Sequence, residues 1–333
     1  MSPPPRVLSG MRPTGALHLG HYHGALKNWV RLQHTHDCYF FVADWHALTT
    51  HYADHADLER NVYDMVVDWL AAGIEPERAT LFIQSRLPEH AELFTLLAMG
   101  TPLAWLERVP TYKDQIKSLA GRDLATYGFL GYPLLQAADI LIYKAAFVPV
   151  GEDQAPHVEI TREVARRFNH LYGHGETVLP EPATLLTETS RLPGLDGAKM
   201  SKSTGNDIAM REAPAEVERK LRRMQTDPQR VRRSDKGDPQ RCPVWQFHQV
   251  YSDADTRAWV ARGCTTAGIG CLECKQPVID AIVEEQRPWR ERAEAYLSNP
   301  KQVQWIVEVG TEQARGVARR TMRDVRAAMG LVY

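Results

Sequence analysis

Short apolar runs alternate with helical repeats through the first half of the chain. Val7–Gly10, Cys38–Asp44 and Thr80–Gln84 are brief apolar runs of the kind that form strands buried on both faces. Between them, Leu26–Gln33 and Leu58–Ala72 carry apolar residues at helical spacing, with Asp54 and Asp57 as candidate N-caps for the second. This order predicts an α/β fold built on a doubly wound parallel sheet. A further strand is expected at Phe147–Val150, running into Gly151–Gln154. The span 86–140 interrupts the alternation and reads as a helical insertion. From about Glu216 strand signals fade and long helical patterns take over, which divides the chain into 1–215 and a mainly helical 216–333. Pro3–Pro5 reads as a loose terminus.

Composition narrows the class. A chain of 333 residues has length for two domains and a large core, and 44% hydrophobic with 24% charged residues is ordinary for a globular protein. Forty Lys and Arg against 41 Asp and Glu leave a net charge of −1, which excludes a polycation that coats DNA. No run approaches the about 18 apolar residues of a membrane span, and the first residues lack a signal core. A soluble cytoplasmic enzyme with no membrane or DNA partner is expected. Five clustered cysteines are too few for a secreted disulfide scaffold.

Two separated segments carry phosphate chemistry. After the first strand, Ser9–Leu26 reads SGMRPTGALHLGHYHGAL, which matches neither the dinucleotide-binding nor the P-loop pattern. It places Gly20 where a flat base or ribose would meet bare backbone, and His18 and His21 three apart on one helical face, able to donate to phosphate oxygens. Some 180 residues later, Lys199-Met200-Ser201-Lys202-Ser203 lies between Gly194, Gly197 and Gly205. Two lysines on a loop of this kind suit transient neutralisation of a polyphosphate leaving group.

The pair resembles the two signature motifs of class I aminoacyl-tRNA synthetases, HIGH and KMSKS, with Leu19 in place of the isoleucine. PTGALHLGHYHGAL, Ala43–Thr49, Tyr132–Tyr143, Val148–Gln154 and the Arg162–Asn169 run narrow the likeness to the tryptophanyl members. The resemblance implies a Rossmann-like class I catalytic domain followed by an α-helical anticodon-binding domain, with ATP, Mg²⁺, L-tryptophan and tRNA(Trp) as ligands, and a homodimer. It places ATP against Arg12, Pro13, Thr14, Gly20, His21, Gly151, Glu152, Asp153 and the loop residues Lys199 to Ser203. His18, His21, Lys199, Lys202 and Lys117 take the catalytic roles, Lys117 as a pyrophosphate contact. Gln154 falls near the substrate ammonium group and His46 at the wall of the indole pocket.

Tyr132, Gln136 and Asp139, spaced by four and three, share one helix face. A buried Asp139 carboxylate accepts only, which suits an indole N–H or a tyrosine O–H and penalises phenylalanine. Tyrosyl-tRNA synthetases use a similar Tyr/Gln/Asp set, and many tryptophanyl enzymes carry Met where this chain has Gln136. The GEDQ form at Gly151–Gln154 favours tryptophan. A tyrosyl enzyme and a non-catalytic iron–sulfur RNA-binding paralogue are the alternatives.

Cys242, Cys264, Cys271 and Cys274 form a candidate metal-ligand set beside Gly263, Gly268 and Gly270; spacing alone leaves a four-cysteine zinc site and an iron–sulfur cluster both open. With its flanking sequence the set resembles a tryptophanyl subgroup carrying a [4Fe–4S] cluster. Cys38, in a central strand, reads as a core residue. For tRNA phosphates the candidates are Arg219–Arg241, with nine Lys and Arg against three Asp, and the arginines of Arg315–Arg326. Trp245 and Phe247 are candidate base-stacking residues.

Overall fold

The strand Asp37–Val42 is apolar at nearly every position because both of its faces are covered, as a central strand of a parallel sheet requires. In the computed structural model, which describes residues 4–110, 112, 124–151, 155–186 and 192–332, it is β2 of five strands. β1 (Arg6–Met11), β2, β3 (Ala79–Ile83), β4 (Phe147–Val150) and β5 (Ala183–Leu186) lie in the order β3-β2-β1-β4-β5, every pair parallel. The four runs read from the sequence fall on β1 to β4. β5 has no counterpart there: its side chains alternate between half-buried and exposed, so no continuous apolar run marks it.

Alternate residues of the strands feed two buried clusters. Val7, Phe40, Val42 and Leu81 face one layer, where Trp29 stacks on Phe40 at 4.4 Å and meets Trp69 edge-on at 5.3 Å. Leu8, Tyr39, Phe41 and Phe82 face the other, against Leu134, Leu141 and Tyr143. Helix Leu58–Ala72 is bounded as its pattern predicts and stops at Gly73, whose φ of 110° is the left-handed turn that glycine adopts freely. Asp57 sits at its N-cap position but makes no side-chain capping bond. Within 86–140, the described elements are helical: Glu89–Ala98, Leu103–Glu107 and Tyr127–Ile142.

Beyond Leu186 every described element is helical, ending in Cys271–Leu297 and Pro300–Ala328. These helices share the core of the sheet. Ile279, Ile282, Trp289 and Ile306 join the first cluster, and Val317, Ala318 and Met322 the second. Helix Pro300–Ala328 crosses β3 so closely that a Cβ on Gly310 would collide with the Leu81 carbonyl. No described helix is long and apolar enough to cross a membrane.

The chain visits β2 and β3 on one side of β1, then returns to place β4 on the other. That reversal opens a crevice above the carboxyl ends of β1 and β4, the place where doubly wound sheets bind ligands.

Candidate functional site

A cavity of about 880 Å³ occupies this crevice, within the usual size of a small-molecule site. Its two ends differ in chemistry.

At one end stands helix Tyr127–Ile142, started by Thr126, whose side chain accepts from Phe129 N at 3.2 Å. Tyr132, Gln136 and Asp139 all reach the cavity, as their spacing predicts. Asp139 is fully buried, and the protein already surrounds it with donors. His46 Nε2 lies 2.7 Å from Oδ2 and His90 Nδ1 2.7 Å from Oδ1, while Gln84 Nε2 donates to both oxygens at 2.8 and 3.0 Å. Burial alone pushes this carboxyl up, but hydrogen bonds from His46 and His90 and their charge outweigh it and hold Asp139 below its ordinary value. The sequence picks out His46 and Asp139 but not their partners. Gln84 and His90 follow the carboxyl end of β3, the edge of the sheet where ligand groups gather, and that position is the signal that would have found them. His157, also missed, lines the cavity with its ring 5.6 Å from that of Tyr132.

At the other end the two signature segments meet. Leu19 N donates to Ile208 O at 3.0 Å and Met210 N to Leu17 O at 2.9 Å, so the chain after the lysine loop runs along the histidine segment. Asp68 anchors the same segment by accepting from Leu17 N at 3.0 Å. A Cβ on Gly20 would press on the His18 ring at 3.0 Å and touch Met200 Cβ at 3.6 Å, so the two motifs meet at this glycine. Gly15, at a φ of +123°, fits beneath Lys202, whose Nζ a Cβ there would strike. Gly20, His18, His21, Lys199 and Met200 line the cavity, as do Arg12 and Gly151. Pro13, Thr14, Ser201 and Lys202 stand in the adjoining loops without lining it.

The histidine rings stack at 3.7 Å. Burial pushes His18 down to about 4, with the Lys202 and Lys199 charges adding to it against Asp207. Burial, then the neighbouring His18 and the two lysines, push His21 down to about 3. Both are therefore neutral imidazoles near pH 7, able to donate one N–H each but carrying no charge. Burial also lowers Lys202, opposed by Asp207, Asp68 and Asp64, and lowers Arg12, opposed by Tyr132. Arg12 Nη1 reaches Thr50 Oγ1 at 3.4 Å. Asn206 braces the lysine loop: its Oδ1 accepts from Ser201 N at 2.7 Å, and its Nδ2 donates to Asp196 at 2.7 Å and to Lys199 O at 3.1 Å. Asn28 and Gln246 line the same cavity without having been expected. Lys117, Glu152, Asp153, Gln154 and the Ser203 side chain lie outside the described residues.

The four late cysteines converge from three helix ends. Cys242 sits at the N-cap position of Pro243–Tyr251, Cys264 stands near the end of Ala254–Thr265, and Cys271 and Cys274 lie in the first turn of Cys271–Leu297. Their thiols sense one another: burial raises Cys274 to about 12, with the other three cysteines adding to it. Nitrogen groups surround them. The buried Arg230 points Nη1 at Cys264 Sγ from 4.0 Å, the buried Lys275 Nζ donates to Met224 O at 2.6 Å, and His248 Nε2 lies 3.5 Å from Cys274 Sγ. Among the described residues, no three His, Cys, Asp or Glu side chains are grouped closely enough to hold one metal ion. Cys38 is a buried residue of β2.

Several candidate RNA contacts are otherwise engaged. Phe247 is fully buried, so it has no face to offer a base. Arg219, Arg222, Arg233 and Arg241 pair with Glu216, Glu218, Glu273 and Asp227. Arg315, Arg319 and Arg326 pair with Glu312, Glu89 and Glu92. The local positive excess is real in the sequence, but much of it is spent on ion pairs within the fold.

Comparison with known proteins places this arrangement. The family described as tRNA synthetases class I (W and Y) matches residues 2–285. A tryptophan–tRNA ligase of Ralstonia nicotianae is 59% identical over 397 aligned positions, covering 99% of this chain and 99% of that protein. One from Thermotoga maritima is 51% identical over 330 positions, covering 98% and 100%. Among solved structures, tryptophanyl-tRNA synthetase from Campylobacter jejuni, complexed with ADP and tryptophan, superposes with a TM-score of 0.86 at 30% identity, covering 98% of this chain and 99% of that one.

Proposed function

The chain belongs to the class I tRNA synthetases of the tryptophan and tyrosine group, and from that premise we propose how its cavity carries out a tryptophan–tRNA ligase reaction. The enzyme activates L-tryptophan with ATP and passes the acyl group to tRNA(Trp). The tryptophan carboxylate oxygen attacks the α-phosphorus, the bond to the β-phosphate oxygen breaks, and pyrophosphate leaves. A ribose hydroxyl of the tRNA then attacks the acyl carbon of the adenylate, and AMP departs. No protein nucleophile is needed; positioning and stabilisation of phosphate charge do the work.

The observation that carries this assignment of roles is the meeting of Gly20 with Met200 at one end of a cavity whose other end is Asp139. In this reading His18 and His21 donate N–H bonds to phosphate oxygens as neutral groups, while Lys199 and Lys202 balance the charge that grows on the leaving pyrophosphate. Mg²⁺, when bound, neutralises the polyphosphate. Arg12, Pro13, Thr14, Gly20, Gly151, Met200 and Ser201 shape the ATP side; Tyr132, Gln136, His46 and Asp139 receive the indole. Lys117, Glu152, Asp153, Gln154 and Ser203 take their roles from the resemblance alone. Amino-acid-dependent ATP–pyrophosphate exchange with tryptophan and tyrosine in parallel is the test. Exchange with tryptophan is expected, and exchange with tyrosine instead overturns the pocket assignment.

The reading extends to the cytoplasm as the site of action, to a homodimer, and to a division of labour in which 1–215 performs the chemistry and 216–333 meets the anticodon. It also extends to a [4Fe–4S] cluster on Cys242, Cys264, Cys271 and Cys274. Convergent thiols ringed by Arg230, Lys275 and His248 suit an anionic cluster. Four thiolates suit a zinc ion or an iron–sulfur cluster alike, and the flanking sequence, which resembles the cluster-bearing subgroup, favours iron. Iron and sulfide analysis after anaerobic purification separates the two, and stoichiometric zinc without iron removes the cluster.

A further inference from the structure

We propose that His90, a residue outside the cavity wall, is the positioning residue that aims Asp139 at the indole N–H, with Gln84 and Tyr143 as its supports. The proposal rests on the tryptophan reading of the cavity.

Hydrogen-bond direction fixes the arrangement. An ionised carboxylate only accepts, so His90 Nδ1 must carry the proton it shares with Oδ1 at 2.7 Å. On the other side of the ring His90 Nε2 lies 2.7 Å from the Tyr143 hydroxyl, so both ring nitrogens are held. Tyr143 is suited to this, because burial and then the Asp139 charge push its hydroxyl well above its ordinary value and keep the proton in place. The contacts therefore form one chain, from Tyr143 through His90 to Asp139. The His90 ring is fully buried and hemmed in by Phe41, Phe82 and Tyr143, with centroids at 6.3, 6.1 and 5.4 Å.

Gln84 completes the hold. Its amide nitrogen spans both carboxylate oxygens while its Oε1, equally buried, has no partner. The opposite orientation would set oxygen against oxygen. His46 donates to Oδ2 from a third element, the helix Asp44–His51. Three donors from three elements leave the carboxylate no freedom to rotate. A carboxylate has about four acceptor positions, and the three groups make four contacts on it, two to each oxygen. Asp139 and His46 line the cavity whereas His90 and Gln84 do not, so these two hold the carboxylate from behind and a ligand donor meets the edge it turns to the cavity, where the Gln84 amide shared between both oxygens is the contact that can give way. An indole has one such donor. Without His90, the carboxylate would gain freedom to rotate and Oδ1 would keep only its Gln84 contact.

The experiment measures ATP–pyrophosphate exchange by the full-length protein with tryptophan and with an analogue in which sulfur replaces the indole N–H. The wild type should prefer tryptophan. His90→Phe is expected to raise the tryptophan KM about tenfold or more, leave the ATP KM unchanged and reduce the preference over the sulfur analogue. His90→Asn, whose amide N–H replaces Nδ1–H, should recover most of the preference. Tyr143→Phe removes a single hydroxyl and should raise the tryptophan KM about threefold, which keeps the test decisive if His90→Phe does not fold. An unchanged tryptophan KM in either folded variant, or equal losses for tryptophan and the analogue, overturns the proposal. A wild type with no tryptophan-dependent exchange overturns the functional reading instead, so the two failures are distinct.

Discussion

The two ends of the cavity are organised in opposite ways. Around Asp139 the protein supplies nearly every hydrogen-bond partner itself, from His46, His90 and Gln84. Around His18 it leaves groups short: the ring Nδ1 is buried without a partner, two imidazoles are stacked in their neutral forms, and Lys202 is held below its ordinary value. The difference follows from what each end must do. Selecting one amino acid requires a fixed acceptor whose geometry cannot relax to suit a competitor. Stabilising charge that appears only during reaction requires donors that are in place but not already satisfied.

Removing the positive charge from the nucleotide end should have the largest effect. The Lys199→Ala/Lys202→Ala double variant is expected to slow adenylate formation on the order of 10³-fold in single-turnover measurements, with tryptophan affinity nearly unchanged. Equal losses in both quantities would erase the distinction between the ends. Asp139→Asn tests the opposite end, since an amide placed among donors cannot accept from all of them. A fall of about 10²-fold in kcat/KM for tryptophan, with the ATP KM unaltered, is the expected outcome; a matching rise in the ATP KM would show that the two ends are one unit.

The smallest effect concerns pH. His18 and His21 titrate in the folded protein at about 4 and 3, below the 6.5 of an unhindered histidine. Between those values the unfolded chain binds more protons, so their contribution to stability is complete above pH 6.5 and is lost as pH falls towards 4. The melting temperature of the ligand-free protein should decline over that range, and His21→Asn should flatten the decline. Bound ATP should lessen it, because phosphate charge raises both imidazoles. A melting temperature indifferent to both changes would show that the histidines are not held as described.

The reach of the sequence differs between the same two ends. Gly20 and Met200 were legible because each sits in a short contiguous motif, although the supports Asp68 and Asn206 lie outside both motifs. The face shared by Tyr132, Gln136 and Asp139 was legible because helical spacing is local. Gln84 and His90 were not, since they act through Asp139 from 55 and 49 residues away. Phe247 was misread as a base-stacking residue because helical spacing does not say which face a neighbouring helix will cover. The arginine runs show a related reach: a count of charges does not say which arginines tertiary contact sets beside carboxylates, as Glu89 and Glu92 reach Arg319 and Arg326.

By itself, then, the sequence determined the strand–helix alternation, the two signature motifs and the cysteine spacing, because periodicity and short motifs are properties of neighbouring residues. Only the tertiary structure decided that residues 214–328 share the core of the sheet, that Gly20 meets Met200, and that Asp139 stands in a closed ring of donors. Those are contacts between segments distant in the chain, and they exist only once packing has fixed which surfaces face each other.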